Sequence, residues 1–188
     1  GGMSALRSHG PIVLAELAAT LERVDEAQFD AVAEVLVKAE RVFVIGVGRE
    51  GLAARGFAMR LMHTGTTVHW GWDDTTPNVT ADDVFVMVNG SGSIGHLDYV
   101  FSQVAPTGAT TVVVTGVPDE ATPRAADHVL AVPAAVYRGT GDLVPSVQPM
   151  GSLFEQATGL VFDLLVLEVA ARKNRTFADL AVRHRNFE

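Results

Sequence analysis

The sequence predicts an α/β fold built on a parallel sheet covered on both faces, and three observations carry that prediction. Short apolar runs of strand character alternate with helical periodicities along most of the chain, as expected of strands buried on both sides. Two glycine-rich turns, Gly46-Val47-Gly48-Arg49-Glu50-Gly51 and Asn89-Gly90-Ser91-Gly92-Ser93, each follow such a run, Arg41–Ile45 and Val84–Val88. The stretch 133–149 contains Pro133, Gly139, Gly141, Pro145 and Pro149 without periodicity, so it reads as a loop long enough to be functional.

Two amphipathic helices come first. Ile12, Val13, Leu14, Leu17, Ala18 and Leu21 recur at helical spacing from Pro11 to about Val24, and Phe29, Val32, Ala33, Leu36 and Val37 repeat the pattern. Strands then follow at about 41–46, 67–71, 84–88, 110–115 and 128–132, with helices at about 50–64 and 95–106. From Met150 to about Lys173 one long helix is apolar over much of its circumference, which requires burial centrally or at an interface. Thr176 with Asp179 three residues on has the form of a helix start, and the Arg/His-rich segment to Glu188 is a polar helix or tail. There is no internal repeat, and one domain is expected over residues 1–188, with N-terminal helices in 11–39 and C-terminal helices in 150–188.

Composition narrows the partners. The 188 residues suffice for a full core, and a hydrophobic fraction of 48% with mean hydropathy +0.24 predicts apolar surface buried between copies of the chain. A net charge of −8, with no cluster of Lys or Arg, argues against a nucleic-acid partner. With no cysteine, disulfides and thiolate-bound metals are excluded, and His9, His96 and His128 lack acidic neighbours at metal-ligand spacing. Gly1-Gly2 ahead of Met3 reads as a cloning remnant, and the absence of a leader or long apolar span predicts a cytoplasmic protein without a membrane partner.

The turns suggest a site. A glycine turn entering a helix brings N–H groups close to a ligand, and the helix N-terminus favours negative charge there. Gly46-x-Gly48-x-x-Gly51 alone also matches a dinucleotide fingerprint, with Asp73 or Asp74 as the ribose acid. A sheet in flavodoxin-like order instead places the first and third strands side by side, so both turns flank one crevice at the topological switch point. The same glycines also suit tight strand-to-helix packing, with Ser91 and Ser93 capping the next helix.

Several motifs occur together in order: Gly46-Val47-Gly48-Arg49 with Gly51-Leu52-Ala53, Phe57-Ala58-Met59-Arg60-Leu61-Met62-His63, Asp74-Thr75-Thr76-Pro77, Gly90-Ser91-Gly92, Gly151-Ser152-Leu153-Phe154-Glu155 and Arg183-His184-Arg185-Asn186-Phe187-Glu188. In these the chain resembles the SIS (sugar isomerase) family, and within it the 6-phospho-3-hexuloisomerases. The resemblance implies a three-layer sandwich with a five-stranded parallel sheet, usually in a homotetramer. It also implies isomerisation of 3-hexulose 6-phosphate to fructose 6-phosphate through an enediol, with no cofactor. Glu155 matches the family's catalytic carboxylate, a role that calls for a pKa raised by burial. His184 matches a C-terminal histidine contributed across a subunit interface. Gly48, Arg49, Glu50, Thr75, Thr76, Asn89, Gly90, Ser91, Gly92 and Ser93 are the expected substrate-binding residues. Arg138, Trp70 and Trp72 are further candidates to touch an anion or sugar, against the alternative of solvated or core roles.

Two residues depart from the pattern. The family usually carries Ser where this chain has Glu50, and Ser-x-Ser-Gly-Glu-Thr where it has Asn89 to Ile94. A dianion beside an ionised Glu50 is disfavoured. Three readings follow: a phosphohexulose isomerase in which Glu50 pairs with Arg49 or Arg55 and points away, the same chemistry on an unphosphorylated or 6-sulfonated sugar, or a non-catalytic sensor of a sugar phosphate.

Overall fold

The computed structural model describes residues 1–188. Two helices, α1 (Ala5–Glu22) and α2 (Glu26–Lys38), lead into β1 (Arg41–Ile45), α3 (Gly48–His63), β2 (Thr67–Trp70), β3 (Val84–Val88), α4 (Gly95–Val104), β4 (Thr110–Thr115), α5 (Ala121–Ala125), β5 (His128–Ala131), α6 (Ser152–Arg172) and α7 (Phe177–Val182). The five strands form one parallel sheet in the order β2-β1-β3-β4-β5. This is the flavodoxin-like order, and β1 pairs directly with β3 from Val42 opposite Val84 to Ile45 opposite Met87.

Alternation along each strand divides the core. Val42, Val44, Val84, Val86, Val112 and Val114 face a cluster of 28 buried residues shared with α2, α3 and α6, while Phe43, Ile45, Phe85, Met87 and Val113 face a cluster of 8 shared with α4. The sheet is therefore the middle of three layers, one thick and one thin. Phe57 of α3 stacks on Phe162 of α6 at 4.2 Å between ring centroids, fixing the two helices to each other.

The long apolar helix resolves into two faces. Leu153, Phe154, Ala157, Val161, Phe162, Leu165, Val166 and Val169 are buried at three- and four-residue spacing, whereas Leu160, Leu164 and Leu167 remain 39–49% exposed on the single chain. The expected boundary of the first helix moves: α1 begins at Ala5, with Pro11 inside it rather than at its start. Thr176 caps α7 as read, its hydroxyl accepting from the Asp179 N–H at 3.1 Å while the Asp179 carboxylate accepts from the Thr176 N–H at 2.7 Å. No helix is long and apolar enough to cross a membrane.

Candidate functional site

At the C-terminal edge of the sheet, the turns after β1 and β3 open onto one cleft of about 550 Å³, a size suited to a small metabolite. Its walls are Val47, Gly48, Arg49 and Glu50 from the start of α3, Ser91, Ser93 and Ile94 from the second turn, Gly95 at the start of α4, Tyr137 and Arg138 from the long loop, and Glu155 on the first turn of α6. Three helix N-termini thus converge on it. Their free N–H groups and dipoles make the cleft favourable to negative charge before any side chain is considered.

The glycines have separate reasons. Gly46 and Gly51 touch, since a Cβ on Gly51 would lie 2.7 Å from the Gly46 carbonyl oxygen, and that contact lets α3 start immediately behind β1. Gly48 and Gly92 hold φ of +56° and +75°, in the left-handed region that disfavours other residues. Gly90 is bare because Glu50 occupies its side-chain space: a Cβ there would collide with the Glu50 carboxyl.

The second turn is fixed from beneath. Asn89 is fully buried, donates through Nδ2 to Asp98 at 3.1 Å and accepts from the Ile94 N–H at 3.3 Å. Asp98 also accepts from the Thr122 hydroxyl at 2.7 Å. Within the turn the Gly92 N–H goes to the Asn89 carbonyl and the Ser93 N–H to the Ser91 hydroxyl. Asn89 is thus a supporting residue rather than a lining one.

Two carboxyls enter the cleft in different states. Glu155 is 15% exposed and its Oε1 lies 2.8 Å from Arg49 Nε, a charge contact in which the N–H is not aligned into a hydrogen bond. Glu50 takes no ion pair. Its Oε2 accepts the Gly90 N–H at 3.1 Å, and burial, opposed by that hydrogen bond and reinforced by the Glu155 charge, pushes its carboxyl up to about 7. The expectation that Glu50 pairs with Arg49 or Arg55 and points away is corrected here. Arg49 is engaged by Glu155, Arg55 lies 5.8 Å over the Trp70 ring, and Glu50 points inward.

Other expected residues fall elsewhere. Thr75 and Thr76 lie in the turn after β2, where the Thr76 hydroxyl donates to the Trp70 carbonyl at 2.8 Å, and neither lines the cleft. Trp70 and Trp72 line a separate shallow hollow with Leu52, Arg55 and His96, and Trp72 Nε1 donates to the Gly46 carbonyl at 2.8 Å. His184 is not brought to Glu155 within one chain. It follows α7, stacks at 5.6 Å on the buried His63 and contacts Glu188 at 3.0 Å. Tyr137, which reasoning on the sequence missed, joins the cleft because the long loop folds back, with the Arg138 guanidinium 5.0 Å over its ring and Arg138 at φ +59°.

Comparison with known proteins agrees with this architecture. A 3-hexulose-6-phosphate isomerase from Mycobacterium gastri is 36% identical over 177 residues, covering 94% of this chain and 88% of that one. A protein of the same name from Bacillus subtilis is 28% identical over 94% of this chain and 95% of its own. A crystal structure from Methanococcus jannaschii, from which a function as 3-hexulose-6-phosphate isomerase was inferred, superposes with a TM-score of 0.82 at 25% identity, covering 96% of this chain and 99% of that one. The model of the SIS domain matches residues 35–158, from α2 through the first turns of α6, so both turns and Glu155 fall within it. The chain belongs to the SIS domain family.

Proposed function

We propose that this protein isomerises 3-hexulose 6-phosphate to fructose 6-phosphate through an enediol, in one SIS domain spanning residues 1–188. The observation that carries the reading is the position of Glu155, a carboxylate on the first turn of α6 facing the cleft, beside the two turns and held by Arg49. The names of the relatives supply the substrate class.

The chemistry needs one base and no net oxidation. Glu155 takes the proton from C2 of the 3-ketose, and the electron pair forms the C2–C3 double bond as the C3 carbonyl becomes an enediol hydroxyl. The proton returns at C3 while O2 loses its own, leaving the carbonyl at C2. The substrate is neither oxidised nor reduced overall, so no redox cofactor is needed, and the proton held by Glu155 can exchange with water before it returns. Arg49 keeps Glu155 oriented, and Ser91, Ser93, Gly48 and the neighbouring N–H groups bind the sugar and its anion.

His184 serves the oxygens from a second copy. Its place in a different hollow from Glu155, lined also by the exposed Leu167 and Phe177, together with the exposed Leu160 and Leu164 on α6, supports a homo-oligomer, a tetramer by family precedent, with sites shared between subunits. A second reading, the same chemistry on a sugar without a phosphate, draws on one observation: the Glu50 carboxyl in the cradle. A sensor without catalysis would have no use for a base held by Arg49.

Glu155→Gln should lower kcat by about 10²–10⁴-fold, and turnover in deuterated water should label the carbon beside the carbonyl. Mixing Glu155→Gln with His184→Ala protein should restore turnover once subunits exchange. Full activity of Glu155→Gln would overturn the assignment.

A further inference from the structure

We propose that Glu50 is a specificity-determining residue of the cleft, admitting the anionic end of the substrate only with a proton on its own carboxyl, so that phosphate and proton bind together. The inference rests on the phosphosugar reading above and deepens it.

The geometry sets the requirement. Glu50 sits on the first turn of α3 in the wall of the cleft, packed against bare Gly90, whose N–H it accepts. Every charged group facing it can be named. From its own helix Arg49 is turned to Glu155; from α6 comes Glu155 itself; from the long loop come Tyr137 and the exposed Arg138; from α4, Asp98 is held by Asn89 and Thr122 behind the turn. Thus no cation pairs with Glu50, and the charge that adds to the rise of its carboxyl is that of a second carboxylate, Glu155.

The N–H groups of the second turn are largely spent. Gly90 donates to Glu50, Gly92 and Ile94 to Asn89, and Ser93 to Ser91, which leaves Ser91 as the one residue from 90 to 94 whose N–H has no acceptor in the chain. At this turn a phosphate meets few N–H donors, and if Glu50 is ionised a like charge opposes the attraction of the three helix N-termini. Protonation removes both defects, because a neutral carboxyl repels nothing and offers one O–H donor. The rise of the Glu50 carboxyl to about 7 puts the exchange within reach near neutral pH.

Calorimetric titration of the full-length protein with fructose 6-phosphate and with inorganic sulfate, from pH 6 to pH 9, tests this. Wild-type affinity should fall about 50-fold between pH 7 and pH 9, for a group titrating near 7. Binding at pH 8 should take up close to one proton, read from heats in buffers of different ionisation enthalpy. Sulfate, which holds no proton in this range, should show the same fall and so place the proton on the protein. Glu50→Gln should bind both anions with no fall over this interval, since phosphate is already a dianion above about pH 6; Glu50→Ser serves as a second neutral variant.

Wild-type binding independent of pH would overturn the proposal alone. So would binding that appears only in Glu50→Gln, even at pH 6, because Glu50 would then exclude the anion outright. Failure of all three proteins to bind fructose 6-phosphate, with Glu155-dependent turnover of an unphosphorylated ketose, would overturn the phosphosugar reading and this inference with it.

Discussion

The two ends of the sheet treat a buried carboxyl in opposite ways. At the N-terminal edge, Asp83 precedes β3 and is 3% exposed, yet both its oxygens are satisfied: Arg41 Nε donates to Oδ1 at 2.7 Å, while Oδ2 accepts from Arg41 Nη2 at 2.6 Å, the Thr80 N–H at 2.7 Å and the Thr80 hydroxyl at 3.1 Å. The Arg41 hydrogen bonds, helped by Thr80 and working against burial, hold the Asp83 carboxyl down at about 2. At the C-terminal edge, Glu50 has one N–H, no cation and a carboxylate neighbour, and it is pushed up to about 7. One edge joins neighbouring strands, and its charges are neutralised within the chain. The other leaves a polar group under-satisfied where a ligand enters, which is the usual place for such a displacement.

Neutralising each carboxyl without changing its shape separates these roles. Asp83→Asn has the largest expected effect, because it leaves the Arg41 guanidinium facing an amide at a buried site. A loss on the order of 2–4 kcal/mol at pH 7 is expected, read by urea denaturation. The sign follows from the depressed value. Stability from Asp83 is complete above the unfolded value of 3.8 and is lost as pH falls through about 2, so the two proteins should converge in strong acid. Equal stability at pH 7 would mean that the edge pair contributes nothing and that the contrast is one of position alone.

Glu50→Gln should act in the opposite direction. A carboxyl raised from 4.5 to about 7 favours the folded state fully below 4.5, and that advantage disappears as pH rises through 7, where burial of the charge must be overcome. The variant should therefore match wild type at pH 4.5 and exceed it at pH 8 by on the order of 2 kcal/mol after allowance for solvent. Thermal denaturation at the two pH values measures the difference. A variant less stable than wild type at pH 8 would show that the ionised Glu50 is a structural partner of Gly90.

Which of these features the sequence discloses depends on how far apart the interacting residues lie. Val84–Val88 and Thr110–Thr115 are read correctly as strands because a short run rich in β-branched residues between turn residues is a local signal. The same holds for the capping box at Thr176 and for the crevice between the first two turns, which follows from strand order. The start of α1 is misplaced since Pro11 is a strong local breaker that the helix tolerates, and α5 is too short for any periodicity. The partners of Glu50 and Glu155 were not legible. Glu50 meets Gly90 across 40 residues, and Arg49 at the start of α3 meets Glu155 on α6, the neighbouring helix but far along the chain; neither spacing nor composition states which way a side chain turns inside a cleft. Tyr137 enters the cleft by the path of a loop, for which sequence carries turn chemistry and little else.

An exposed carboxylate completes the series and has the smallest expected effect. Asp25 caps α2, its side chain accepting the Gln28 N–H at 2.9 Å in open solvent. Asn accepts the same hydrogen bond and is as good a cap as Asp, so Asp25→Asn gives up only the interaction of a full charge with the helix dipole, which salt screens. Stability should change by no more than about 0.5 kcal/mol at any pH between 5 and 8. Such a result would assign the opposite responses of Asp83 and Glu50 to burial and partners rather than to loss of a negative charge from a chain of net charge −8. A gain at Asp25 as large as that at Glu50 would instead mean that overall charge repulsion, and not the local environment of the cleft, governs the response to neutralisation.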